Sequence, residues 1–298
     1  MRWTWSDQSG IPITPDGRRL LNIGCGHRFH PLWTNLDLVA ADAAHVRAHN
    51  LYEGIPFGSE TFDIAYHSHF LEHLDRKMAL RITGECYRVL RRKGILRVVV
   101  PDLEYNARLY LQCLADALNH SGQEGEGVRD RYQWSLINLI DQMVREQPGG
   151  EYMRLLTKPD LDMDFVICTT GGTEIRLLRE YLLSQESRRR TGRNVRWLSR
   201  LRELPMRVVR KAHFQAIRML TGQRFARLYQ VARYGELHKW AYDRYSLHEL
   251  LTTAGFADVR YYSGGESSIV GWKEYGLEIE PGGEVYKPNS IFAEAVKP

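Results

Sequence analysis

A strand–helix–strand frame between residues 61 and 101 constrains this chain more than any other feature. Ile95-Leu-Arg-Val-Val-Val100 is a largely β-branched run, as a strand buried on both faces of a parallel sheet requires, and Pro101 stops it. Before it, Met78, Ile82, Cys86, Val89 and Leu90 recur at intervals of three and four behind Asp75, a good N-cap. This helix is expected to run to about Arg92 and to close at Lys93-Gly94. Thr61-Phe-Asp-Ile-Ala-Tyr66 precedes the helix as another strand. Parallel strands joined through a helix imply a doubly wound α/β sheet with right-handed crossovers.

The same rhythm extends outward. Arg19 to Gly24 is an apolar run ending at glycine, Trp33 to Asp37 reads as a second strand, and His45 to Asn50 as a weaker third. Alternation is lost from residue 103 to 240, a stretch helical by pattern and broken at 121–127 and at Pro148-Gly-Gly150. It resumes with Ser246-Leu-His-Glu, a capping box leading a helix that ends at Gly255. Phe256 to Tyr262 and Ser290 to Val296 complete about seven strands, mostly parallel with the last one antiparallel. Residues 1–102 and 241–298 are therefore expected to form one Rossmann-like sheet domain, and 103–240 a helical insertion between the fifth and sixth strands.

No apolar run approaches the ~20 residues that span a bilayer, and the N-terminus lacks the layout of a secretory signal. A cytoplasmic location is expected. Cys25, Cys86, Cys113 and Cys168 form no CxxC pair and read as reduced, mostly buried thiols. The net charge of +5 is uneven: from Arg176 to Arg233 basic residues outnumber acidic ones roughly fivefold. An anionic partner is thus expected for that region alone.

Asn22-Ile-Gly24-Cys25-Gly26 lies where the first strand turns toward the first crossover. Glycines there let backbone N–H groups approach a ligand, and a following helix N-terminus would favour negative charge. Asp37 ends the next strand, in place to accept both hydroxyls of a ribose. Phe29 stands where a dinucleotide fingerprint has its third glycine, which argues for a ligand without a pyrophosphate.

"LLNIGCG", "NLDL", "LYEGIPFGSETFDIAYHSHFLEHL" and "ECYRVLRRKGILRVVVPD" resemble, in order, the successive motifs of class I S-adenosylmethionine-dependent methyltransferases. With "DQMVREQPGG", "WAYDRYSLHELLTTAGF" and "KPNSIFAEAVKP", the chain is most similar to a bacterial group associated with polysaccharide and cell-surface glycan synthesis. The resemblance implies that Gly24 and Gly26 lie beside the methionine part of the cofactor, with Asn22 and Cys25 also cofactor-binding, and that Asp37 holds its ribose. It places Asn50 and Leu51 at the adenine and His67 near the sulfonium. Two departures stand out. Asn22 replaces the usual acidic residue, and the short interval from Gly26 to Asp37 leaves a first crossover helix of barely two turns.

Methyl transfer from a sulfonium is an in-line displacement, so the enzyme mainly aligns the acceptor and excludes water, with a base for a hydroxyl acceptor. Ligands in such folds lie beyond the carboxyl ends of the strands. That edge selects His67, His69, Glu72 and His73 after the fourth strand and Asp102 after the fifth. His69 is the leading base, Asp102 the second and His73 a further candidate; Glu72 and His73 are equally readable as a structural pair. His69-Phe-Leu-Glu72-His73 also spells HxxEH, an inverted zinc-protease pattern. No third ligand is evident, and the site is read as holding no metal; a divalent metal at the acceptor hydroxyl is the minor alternative. Asp141, Gln142 and Arg145, and Tyr242, Asp243 and Arg244, are candidate acceptor contacts or ion pairs that fasten the insertion.

Arginines alternate with apolar residues from Asn194 to Tyr234, a cationic amphipathic pattern. Solvated packed helices are the simplest reading, and peripheral contact with an anionic membrane leaflet is the alternative. Nucleic acid is disfavoured as a partner, since no RNA-binding module accompanies the arginines. The expectation is O-methylation of a sugar, glycan or other small hydroxylated acceptor. An RNA methyltransferase and a catalytically silent cofactor-binding protein are the alternatives.

Overall fold

The computed structural model describes residues 10–120, 126–190 and 237–298. Its seven strands are β1 (Leu20–Ile23), β2 (Trp33–Asp37), β3 (Val46–Ala48), β4 (Phe62–Ser68), β5 (Leu90–Pro101), β6 (Ala257–Tyr262) and β7 (Ser290–Val296). They form one sheet in the order β3-β2-β1-β4-β5-β7-β6. Neighbours from β3 to β5 are parallel, and β7 runs antiparallel to both β5 and β6. This is a Rossmann-like sheet with its last strand reversed.

Side chains alternate cleanly between two cores. Leu21, Ile23, Leu36, Ala65, Val98, Val100 and Ala293 face one side, where they pack on helix α1 (Arg76–Val89) through Ile82 and on Leu247 and Leu251 from the C-terminal helix. Leu20, Trp33, Ile64, Tyr66, Val99 and Phe292 face the other. That second face is covered by the irregular segment 263–289, through Ile269, Trp272 and Leu277. Arg97 of β5 is fully buried beneath this segment and ion-paired with Glu294 at 2.6 Å.

Three local expectations are corrected. The span from Gly24 to Leu32 contains no helix, so the two-turn crossover does not form. Gly24 and Gly26 turn through positive φ, and side chains then anchor the loop. The Asn22 amide donates to Arg28 O at 3.1 Å, and Asn35 donates to His30 O at 3.0 Å. The Arg28 guanidinium bonds Leu277 O and Glu280 and lies over the Tyr286 ring. Helix α1 stops at Val89 rather than near Arg92, because Leu90 is fully buried as an extended residue paired with Phe62. Lys93, at φ +64°, and Gly94 then pair with Lys297. The last helix starts at Arg244, with Asp243 as its N-cap and Ser246 as the reciprocal capping-box partner, three residues before the expected start.

The described residues divide into two compact units, 10–105 with 169–171 and 239–298, and 106–120 and 126–168 with 172–190 and 237–238. Between β5 and β6 the described helices are α2 (Leu103–Asn119), α3 (Glu126–Val144), α4 (Gly150–Leu156), α5 (Met163–Thr170) and α6 (Thr173–Arg190), so the C-terminal helix, Arg244–Thr253, is α7. Within the second unit Trp134, Leu155, Leu156, Leu161 and Val166 form the core. Asp141 is buried, bonded to Arg145 at 2.6 Å and to Glu151 N at 2.8 Å, so it splices α3 to the start of α4. The arginine-rich pattern of 194–234 lies outside the described residues. Among the described residues no helix is long and apolar enough to cross a membrane. Cys25, Cys86 and Cys113 are buried, Cys168 is exposed, and none is in a disulfide.

Candidate active site

The structure brings the glycine loop and Asp37 together. Gly26 N–H donates to the Asp37 carboxylate at 2.8 Å, and Val39 N–H donates to its other oxygen at 3.1 Å. Gly24, at φ +63°, lies under the Phe70 ring, so an added Cβ would come within 2.6 Å of Cδ2. Gly26, at φ +54°, has nothing within 4 Å of a Cβ position, which leaves open space for a ligand beside its backbone. Cys25 N–H bonds Leu36 O at 3.1 Å, and burial with the Asp37 charge pushes its thiol up to about 12, so it stays protonated.

The other cofactor candidates are placed differently. Asn22 has its amide committed to Arg28 O and to Asn35 Oδ1, both at 3.1 Å. Asn50 caps the 3-10 turn Leu51–Glu53 through Tyr52 N, and Leu51 is buried in the core. Backbone pairing of His49 N with Asp37 O, 2.7 Å, sets that turn beside the end of β2. His67 lies within β4, fully buried, with its ring edge-on to Phe70 at 5.8 Å. Neither ring nitrogen has a hydrogen-bond partner among the described residues, and burial lowers its pKa to about 4. Leu38 and Val39, 63% and 59% exposed, follow Asp37 directly in the chain. They were not singled out in the sequence, although two exposed aliphatics directly after a strand-ending acid are the signal.

At the carboxyl edge of β4, His69 sits at φ +49° with its N–H bonded to Val99 O. Its Nδ1 is 3.3 Å from Glu72 Oε1, and its Nε2 is 2.9 Å from Ser290 Oγ. Burial and the nearby Lys287 charge lower its pKa to about 4, against the pull of Glu72, so at neutral pH it is an uncharged imidazole. Glu72 is 1% exposed, and its carbonyl is tied down by the Lys239 and Trp240 amides. His73 is half-buried in the 3-10 turn Leu71–His73. Because this stretch is one 3-10 turn entered through a left-handed residue, His69 and His73 do not share a helical face, and the zinc-protease reading of HxxEH loses its geometry.

Asp102 caps α2 through Tyr105 N at 3.1 Å, and burial raises its pKa. Tyr242 is buried near Glu72, Asp243 caps α7, and Arg244 forks onto Glu104. Ser290 and Lys287 were missed in the sequence. An antiparallel last strand begins at the edge where its parallel neighbour ends, so the first residue of β7 faces the end of β5. That rule was the available signal for Ser290.

Residues 21–98, β1 through most of β5, match the family described as "Methyltransferase domain". No curated protein matches the chain. Among solved structures it is similar to a SAM-dependent methyltransferase from Archaeoglobus fulgidus, at 10% identity over 93% of this chain and 85% of that one, TM-score 0.36. A second, from Thermotoga maritima, is described as a possible histamine N-methyltransferase, at 14% identity over 96% and 84%, TM-score 0.35. A third, from Methanosarcina mazei, gives 13% identity over 93% and 91%, TM-score 0.36. The family match thus covers β1 through most of β5, and the cofactor that such a domain implies is S-adenosylmethionine. The residues present fit that cofactor chemically: an open glycine backbone at Gly26, the Asp37 carboxylate able to accept from hydroxyls, and exposed apolar side chains at Leu38 and Val39.

Proposed function

We propose that the chain O-methylates a sugar, a glycan intermediate or another small hydroxylated acceptor. The observation that carries this reading is the partly exposed His69 imidazole at the carboxyl edge of β4, set between Glu72 Oε1 at 3.3 Å and Ser290 Oγ at 2.9 Å as a base for an acceptor hydroxyl. S-adenosylmethionine, when bound, would supply an electrophilic methyl group to the acceptor oxygen, the electron pair of its carbon–sulfur bond going to sulfur. Asp37 and the Gly26 backbone hold and orient the donor, with Leu38 and Val39 under its base. Phe70 walls the glycine loop from the His67 side. His69 is the base that is protonated as the acceptor hydroxyl loses its proton, and Asp102 is the second candidate base. The sugar class follows from the resemblance of the chain's motifs.

The test is calorimetric titration of S-adenosylhomocysteine against the wild type and Asp37→Ala, followed by label transfer from S-adenosylmethionine to methyl hexopyranosides. Two hydrogen bonds to a charged acceptor, each worth about 1.5–3 kcal/mol, predict at least about 100-fold weaker binding in the variant. Equal affinity would refute the cofactor site. Transfer to RNA but to no sugar would turn the reading to an RNA methyltransferase. Peripheral contact of the basic stretch with anionic, lipid-linked acceptors belongs to the same proposal, and salt-sensitive flotation with anionic liposomes tests it.

A further inference from the structure

Three groups meet at the carboxyl edge of the sheet from three separate places in the chain. Glu72 comes from the 3-10 turn after β4, His69 from the left-handed residue before that turn, and Ser290 from the first position of β7. Their atoms form a line: Glu72 Oε1 to His69 Nδ1 at 3.3 Å, then His69 Nε2 to Ser290 Oγ at 2.9 Å. Glu72 and Ser290 are both buried, whereas the His69 side chain keeps 16% of its surface exposed. We propose that Ser290 is a catalytic relay between the acceptor hydroxyl and His69, and that Glu72 is a positioning residue that makes His69 a one-directional proton acceptor for the transfer. The inference rests on the O-methylation reading.

The argument is one of tautomers. A neutral imidazole carries one N–H, and the hydrogen bond made by one nitrogen decides which. A carboxylate accepts only, so the Glu72 charge 3.3 Å away favours the proton on Nδ1 and leaves Nε2 to present its lone pair. Ser290 then donates to Nε2, and its own oxygen lone pairs point onward to accept from the acceptor hydroxyl. On transfer the acceptor's proton passes to Ser290 Oγ as the serine proton passes to Nε2. The hydroxyl is regenerated, and His69 becomes an imidazolium balanced by the Glu72 carboxylate. That proton later leaves to water by way of the exposed ring edge. The 3.3 Å contact is longer than an ideal hydrogen bond, as such contacts commonly are before the reactants are in place. The backbone invests in this arrangement: His69 holds φ +49°, and its N–H is fixed on Val99 O at 2.9 Å, which aims the ring across β5 toward β7.

The experiment uses the full chain, histidine-15N-labelled and saturated with S-adenosylhomocysteine, so that no acceptor is needed. Long-range proton–nitrogen spectra report the His69 tautomer at neutral pH, and His69→Gln assigns its signals. The expected result is the Nδ1–H form in the wild type and in Ser290→Ala, and a shift toward Nε2–H in Glu72→Gln. A wild-type ring in the Nε2–H form, or one unchanged in Glu72→Gln, overturns the proposal. The kinetic arm follows label transfer to the methyl hexopyranosides. Ser290→Ala should lower kcat at least tenfold with the KM for S-adenosylmethionine unchanged, and Ser290→Thr should restore it. Wild-type transfer matched by Ser290→Ala overturns the relay and leaves O-methylation standing. No transfer by the wild type counts against the sugar reading, and the tautomer then decides the relay by itself.

Discussion

Replacing Arg97 by methionine should destabilise the sheet unit by about 3 kcal/mol, the low end of the 3–5 kcal/mol expected when one member of a buried ion pair is removed. Arg97 is fully buried and Glu294 is 3% exposed, and they meet at 2.6 Å across β5 and β7. The guanidinium also donates to Glu266 O at 3.0 Å and lies 4.4 Å from the Trp272 ring centre, so it fastens the 263–289 segment to the second face. Methionine fills most of the stem's volume, which leaves the loss mainly electrostatic. The loss is at the low end because Glu294 keeps donors from Ser267 Oγ, Ser268 N and Ser268 Oγ. Urea unfolding followed by far-ultraviolet circular dichroism gives the midpoint shift, and Arg97→Lys serves as the charge-retaining comparison. Lysine restores the charge without the planar fork, so it should recover part of the loss. A midpoint loss below about 1 kcal/mol for the methionine variant would show that Ile269, Trp272 and Leu277 hold the segment by apolar packing alone.

Acid should weaken the fold early. His67 and His69 both have pKa values lowered to about 4, mainly by burial, with Glu72 opposing at both and Lys287 and His73 reinforcing at His69. The unfolded chain binds these protons near 6.5, so the stability is full above that pH and is lost as pH falls toward 4, by on the order of 3 kcal/mol for each ring. Unfolding midpoints at pH 7, 5.5 and 4.5 measure this, and a flat profile would refute it. The two loop glycines should separate stability from binding. Gly24→Ala meets Phe70 and a left-handed backbone, and should cost about 2 kcal/mol of stability as well as S-adenosylhomocysteine affinity. Gly26→Ala shares the left-handed backbone cost of about 1–2 kcal/mol but points its methyl into open space, so calorimetry should record lost affinity with a thermal midpoint shifted less than in Gly24→Ala.

The sheet was legible because buried parallel strands write themselves as short apolar runs: LLNI, WTNLD and ILRVVV fall in β1, β2 and β5. Helix ends were not, because they were decided by tertiary pairing. Leu90 continues the periodicity of α1, yet its pairing with Phe62 makes it a strand residue. The covering of the second face was illegible for a different reason. Ile269, Trp272 and Leu277 belong to a segment without period, held by a buried arginine that sits inside an otherwise apolar strand. Arg97 was the one visible sign, a charge at a position where a central strand tolerates none without a partner. In the site, residue types at strand ends pointed to His69 and Asp37, but Ser290 required knowing which strand lies beside β5.

The two departures noted in the first motif, Asn22 and the short crossover, are one structural solution. Without a helix after β1, no helix N-terminus supplies N–H groups or positive potential at the glycine loop. The loop is instead held by side chains, and Asn22 is central to it. Its amide donates at once to Arg28 O and Asn35 Oδ1, joining the crossover to β2 at the residue with which Asn22 is in register. A carboxylate at this buried position would set its oxygens against two acceptors. The usual acidic residue is therefore incompatible with this crossover, and an amide is what the absent helix demands. The acidic role at the loop falls to Asp37, whose carboxylate takes the Gly26 N–H. Under the proposed cofactor reading, one anion serves both the loop and the ribose. This is why the Asp37 substitution should strike cofactor binding harder than loss of its ribose contacts alone, and why the departure at residue 22 is compatible with an active site.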